Sequence, residues 1–100
     1  MLLRIRQEAS LDLLEAARWY ESQKSGTGRY FLGEVRMAFQ RIKANPQSYP
    51  EIHRGARRAL VRRFPYGVIY TVLPGEAIIS ILAVLHCGRE PNLWRERSAP

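Results

Sequence analysis

From Ile78 to Leu85 the chain reads Ile-Ile-Ser-Ile-Leu-Ala-Val-Leu, and Ser80 is its only polar side chain. Successive side chains of a strand point to opposite faces, so a strand here is apolar on both. Such a segment needs both faces covered and belongs inside a sheet rather than at its edge. Whatever surrounds it must therefore supply neighbouring strands on its flanks and apolar cover above and below.

The rest of the chain offers both. Leu2 to Ile5, with Arg4 and Arg6 interleaved, reads as a short opening strand. A helix starts near Glu8 or Ser10, with Ala9, Leu13, Ala16 or Ala17, and Tyr20 at helical spacing, and Glu8, Asp12 and Glu15 toward its N-terminal end. Ser22 to Gly28 breaks it, two close glycines marking the turn of a helical hairpin. In the second helix Phe31, Val35, Ala38 or Phe39, and Ile42 form one stripe. Asn45-Pro46 stops it, because the residue before proline is pushed out of helical backbone. An irregular loop over Pro46 to Gly55 precedes three strands: about Arg57 to Phe64, Tyr66 to Leu73 and Ala77 to His86. Leu73-Pro74-Gly75-Glu76 makes the last two a hairpin. The order β-α-α-β-β-β predicts one α+β domain over residues 1–100, its helical hairpin on one side of a mostly antiparallel four-stranded sheet. Arg89 to Pro100 is polar and reads as a short turn or helix ending in a frayed tail from about 95 to 100.

One hundred residues, 46% of them hydrophobic, suffice for a core without disulfides. The lone Cys87 and two distant histidines make no recognisable metal site, so neither metal nor cofactor is expected. No apolar run suggests a leader or a membrane span, and a reducing cytoplasm is the expected location. The net charge is +7, and both halves carry eight basic residues. Between His53 and Arg89, six arginines face a single acid, Glu76. Arginine binds phosphate bidentately and stacks on bases, so an anionic partner is expected, nucleic acid first.

Several short motifs occur in order: Ala17-Arg-Trp-Tyr20-Glu, Gly28-Arg-Tyr-Phe31-Leu, Ile42-Lys-Ala-Asn45-Pro46 and Tyr49-Pro50. They continue with Arg62-Arg63-Phe64-Pro65-Tyr66-Gly67-Val68-Ile69-Tyr70, Ile81-Leu-Ala83-Val84-Leu85-His86, Arg89-Glu-Pro91 and Trp94. With these the chain resembles the RelE/ParE toxins of bacterial type II, plasmid stabilisation-type toxin–antitoxin systems over nearly its whole length. The resemblance implies a small cytoplasmic toxin held inactive by a cognate antitoxin in a hetero-oligomer. It implies either of two activities: a ParE-like toxin binds DNA gyrase, and a RelE-like toxin cleaves mRNA on the ribosome without metal. The ParE-like activity is the expectation here, mRNA cleavage is the alternative, and an inactive antitoxin-bound relic is a second alternative.

RNA cleavage needs a base for the ribose 2′-OH and cations for the phosphorane charge. His86, at the end of the apolar strand, is the candidate base, since histidine exchanges protons near neutral pH. Arg62, Arg63 and Arg89 are the candidate phosphate clamp, with Tyr66 or Trp94 to stack a base. Arg57 and Arg58 join Tyr66 and Trp94 as candidate binding residues. Each has a plainer reading: His86 as a strand-end cap on a neighbouring backbone group, Tyr66 and Tyr70 as core aromatics, Trp94 as a plug at the end of the core. Alternation sends Arg62 and Arg63 to opposite faces of a strand, and divides Arg57 from Arg58 likewise. RelE-like nucleases commonly carry a basic residue where Gly67 stands and often a tyrosine where Trp94 stands.

Overall fold

A computed structural model describes residues 1–73, 75–89 and 92–98 of the chain. The strand β1 (Leu2–Ile5) leads into the helices α1 (Gln7–Gln23) and α2 (Thr27–Ala44). Four strands follow: β2 (Glu51–His53), β3 (Ala56–Leu60), β4 (Tyr66–Leu73) and β5 (Ile78–His86), then a 3₁₀ helix, Leu93–Ser98. The sheet order is β1-β5-β4-β3-β2, with β1 parallel to β5 and every other pairing antiparallel. Among the described residues no helix is long and apolar enough to cross a membrane.

The doubly apolar strand lies where its composition requires, between β1 and β4. Its Ile79, Ile81 and Val84 face the helices, packing with Ala9, Phe31, Val35 and Ile42. Leu82, Ala83 and Leu85 face the opposite side with Ile69 and Trp94. The parity change comes from a bulge: Tyr70 pairs with Ile81 and Ile69 with Ala83, leaving Leu82 as the extra residue. Phe31, Val35, Ala38 and Ile42 are at most 1% exposed, so the α2 stripe is a core stripe. Burying each larger side chain contributes roughly 1.5–3 kcal/mol.

Two expectations need correction. The sheet has five strands, because Glu51–His53 pairs with β3 inside the segment read as an irregular loop. The connection is the two-residue turn Arg54-Gly55, both with positive φ, +28° and +83°. Only glycine takes such a φ without cost, and a single Arg-Gly pair is a weak hairpin signal beside Asn-Gly. The strand read as Arg57 to Phe64 ends at Leu60. Pro65 cannot donate to a ladder, and the chain closes the β3–β4 turn with a 2.9 Å bond from Val61 N–H to the Tyr66 carbonyl. The short helix read after Arg89 is the 3₁₀ helix, held by an ion pair from Arg97 to Asp12. Pro74 of the hairpin turn, Glu90 and Pro91 of one motif, and residues 99–100 lie outside the described residues.

Candidate functional site

At the C-terminal end of β5 the sheet meets the flank of α1. Asp12, Glu15 and Trp19 recur at helical spacing on that flank, and with Ala16 they form one wall of an open cleft. The other wall is Tyr66, Val84, Leu85, His86 and Arg89, and the cleft encloses about 190 Å³. The Arg89 guanidinium carbon sits 5.8 Å from the centroid of the Trp19 ring, in cation–π range. Tyr66 meets the His86 ring edge-on at 5.4 Å. Burial pushes the phenol of neighbouring Tyr20 up, while the Arg89 charge pulls it back.

His86 is committed on one side. Its Nδ1 accepts a 3.0 Å hydrogen bond from the Gly88 N–H. A neutral imidazole that accepts at Nδ1 carries its proton on Nε2. The ring therefore caps the strand end and, in its neutral form, turns an Nε2–H toward the cleft.

The candidate arginines are dispersed. Neither Arg62 nor Arg63 is on a strand, and neither lines the cleft with His86 and Arg89. Arg63, in left-handed backbone at φ +70°, turns away and donates a 2.9 Å hydrogen bond to the Tyr30 hydroxyl on α2. That bond and the nearby Glu34 hold its guanidinium all the more firmly charged. Arg57 and Arg58 do divide between the faces, registered opposite Tyr70 and Ile69 respectively. Arg57 ties down the loop before β2, donating to the carbonyls of Gln47 and Tyr49 and to the Gln47 side chain. The stem of Arg58 lies across β4 at Gly67, where a Cβ would come within 2.9 Å of its Cδ. The space at position 67 is thus filled by an arginine from the adjacent strand.

Trp94 is 2% exposed and plugs the core on the sheet face away from the helices, with His53 edge-on at 5.8 Å. Buried there, it presents no ring face to a base. Tyr66 is also a core residue, 8% exposed. The cleft instead depends on Asp12 and Glu15, read from the sequence only as acids toward the N-terminal end of the helix, and on Trp19, read only as part of a motif. Their spacing was the available signal, together with a tryptophan off the apolar stripe.

A second concavity lies on the helical hairpin. Leu14, Ala17, Gly28, Leu32 and Gly33 form its floor, and Arg18, Arg29, Arg36 and Glu21 its rim, around about 580 Å³. Glu21 is already used. Its carboxylate accepts from the backbone N–H groups of Gly26 and Gly28, which cap α2 and hold the carboxyl below its usual range. The free charge around the groove is therefore positive.

A helical hairpin over a mixed sheet of this kind is shared with other solved structures. Ten chains of solved structures match the fold. Among them, a chain of the chromosomal ParDE TA system from P. aeruginosa has a TM-score of 0.69 at 18% identity, over 86% of this chain and 95% of that one. No curated protein sequence matches. The family model for the ParE toxin of the type II toxin–antitoxin system, parDE, matches residues 3–91, and the chain belongs to that family.

Proposed function

We propose that this ParE-family toxin arrests growth by binding DNA gyrase, and that a cognate antitoxin neutralises it. The observation that carries the choice of target is the state of His86 and the arginines. Metal-free RNA cleavage requires a base placed to take the 2′-OH proton and cations converging on one phosphate. Here Nδ1 is occupied by the Gly88 N–H, and Arg63 is bonded to Tyr30 well away from the cleft. Membership of the ParE family supports the same reading. Poisoning of gyrase is a binding mechanism and makes no demand for a base.

The antitoxin is assigned to the groove on the hairpin. Its apolar floor and its three rim arginines suit an amphipathic helix with a hydrophobic stripe flanked by carboxylates. The experiment is induced expression in a bacterium without the antitoxin. Filamentation with trapped gyrase–DNA complexes supports the proposal. Rapid loss of translation with mRNA cut in the ribosomal A site, or undisturbed growth, would each overturn it.

A further inference from the structure

The strand β1 leaves one side of its backbone unused. In its parallel ladder with β5, Leu2 N–H donates to the Ala77 carbonyl and Arg6 N–H to the Ile81 carbonyl. Even-numbered residues therefore spend their backbone groups on β5, and those of Leu3 and Ile5 point outward from the edge of the sheet. Large apolar side chains are exposed at the same place. Leu2, at 70%, is the most exposed large hydrophobic side chain among the described residues, and Met1 and Ile5 are 47% and 38% exposed. An unpaired edge beside exposed apolar side chains is a template for another strand.

We propose that the added strand is β1 of a second copy of this chain, paired antiparallel about a two-fold axis at Leu3. Hydrogen bonding requires outward-pointing residues to face one another, which leaves few registers. Centred on Arg4, the pairing would set Arg4 against Arg4 of the second copy; centred on Ile5, it would set Arg4 against Arg6. Like charges directly opposed are destabilising. Centred on Leu2, the pairing would reach no further than Leu3. Centred on Leu3, every opposed pair is compatible. Leu3 meets Leu3 and Met1 meets Ile5 on the face that packs against the helices. On the other face Leu2 meets Arg4, whose methylene stem covers it while the guanidinium reaches water. The axis is perpendicular to the sheet, so both helical hairpins stay on one side of it. Two five-stranded sheets thus become one of ten strands that carries two hairpin grooves on the same face. The pairing is independent of the gyrase and antitoxin assignments.

Sedimentation velocity on the purified chain is expected to show its mass doubling as concentration rises from micromolar to millimolar. Ile5→Lys sets a charge against Met1 of the second copy and should raise the dissociation constant about tenfold or more, with a native far-ultraviolet spectrum. Disulfide cross-linking in a Cys87→Ser background reads the register. Leu2 and Arg4 of the two copies form a non-hydrogen-bonded pair, where side chains are close enough to bridge. A mixture of Leu2→Cys and Arg4→Cys chains should therefore cross-link, and Arg4→Cys alone should not. A chain that stays monomeric throughout would overturn the proposal. So would a dimer unaffected by Ile5→Lys, or Arg4→Cys cross-linking to itself as readily as the mixture does. Loss of antitoxin binding in Ile5→Lys, with the free chain monomeric, would give this edge to a strand of the antitoxin and also overturn it.

Discussion

Asp12 and Arg97, eighty-five residues apart, together complete the edge of β5 where β1 runs out. The strand β1 pairs with β5 only as far as Ile5 opposite Ile81. Beyond it, Asp12 Oδ2 accepts from the Val84 N–H at 3.1 Å, and Arg97 Nη1 donates to the Leu82 carbonyl at 3.4 Å. The two side chains are joined by bonds of 2.6 and 3.2 Å and are largely buried. Arg6 Nη1 in turn donates to the Arg97 carbonyl, so the residue after β1 and the 3₁₀ helix are tied at this point. An acceptor and a donor that a longer β1 would have supplied come instead from an ion pair.

Asp12→Ala therefore strands a buried guanidinium and an edge N–H together. A loss of about 3–5 kcal/mol in unfolding free energy is expected by urea titration. Arg97→Met, which leaves the N–H bonded to Asp12, should cost less than Asp12→Ala. Equal stability of wild type and Asp12→Ala would show that water replaces the pair at no cost.

Tyr70 is fully buried, and its hydroxyl donates a 2.7 Å bond to the Pro46 carbonyl, anchoring the start of the α2–β2 loop. Burial is the main cause that pushes its phenol up to about 12 from 10.0. A group raised on folding stabilises fully below its unfolded value and loses that contribution as pH rises through its folded one. Stability is thus expected to fall between about pH 10 and 12, followed by circular dichroism. Tyr70→Phe should cost about 1 kcal/mol at neutral pH and flatten this part of the alkaline fall.

Glu21 works in the opposite sense. Its carboxyl is lowered by the two backbone N–H bonds at the start of α2. The stabilisation is complete above the ordinary carboxylate value and is lost as pH falls through the lowered one. Amide exchange at Gly26 and Gly28 should accelerate in that acid range, and in Glu21→Gln the acid-dependent step should be absent. An unchanged pH profile in the variant would remove Glu21 from the cap.

At Gly67 the contact is with the middle of the Arg58 stem, Cδ at 2.9 Å and Cγ at 3.0 Å from a Cβ. Gly67→Ala must push that stem off β4, at an expected cost of about 1–3 kcal/mol by thermal unfolding. Gly67→Ala with Arg58→Ala should recover most of the difference between Arg58→Ala alone and the single glycine variant. Strict additivity of the two changes would mean that the stem does not occupy that space in solution.

The groove on the hairpin makes the antitoxin assignment testable by salt. Arg18, Arg29 and Arg36 surround it, so affinity for the antitoxin should fall several-fold between low and high salt. Leu14→Glu or Leu32→Glu should abolish neutralisation in a growth assay while the far-ultraviolet spectrum stays native. Salt-independent affinity, or neutralisation intact in both variants, would move the antitoxin to another surface.

Element order apart from β2, the helical hairpin, the core stripes and the interior position of Ile78–His86 were legible in the sequence. Each rests on local periodicity or on glycine and proline chemistry, which a chain carries before it folds. The motif series from Ala17 to Trp94 likewise pointed to the right family. Only the tertiary structure decided what the polar side chains do. Arg62 and Arg63 left the ladder because the chain turns ahead of Pro65 and closes through Val61 and Tyr66, and Trp94 went to the far face of the sheet. Asp12 found Arg97, Trp19 found Arg89, and His86 found Gly88. Such pairings depend on which strand ends meet which helix flank, and no spacing along the chain encodes that. Apolar periodicity fixes the fold because burial is non-directional, whereas a site needs directed bonds among residues that folding alone brings together.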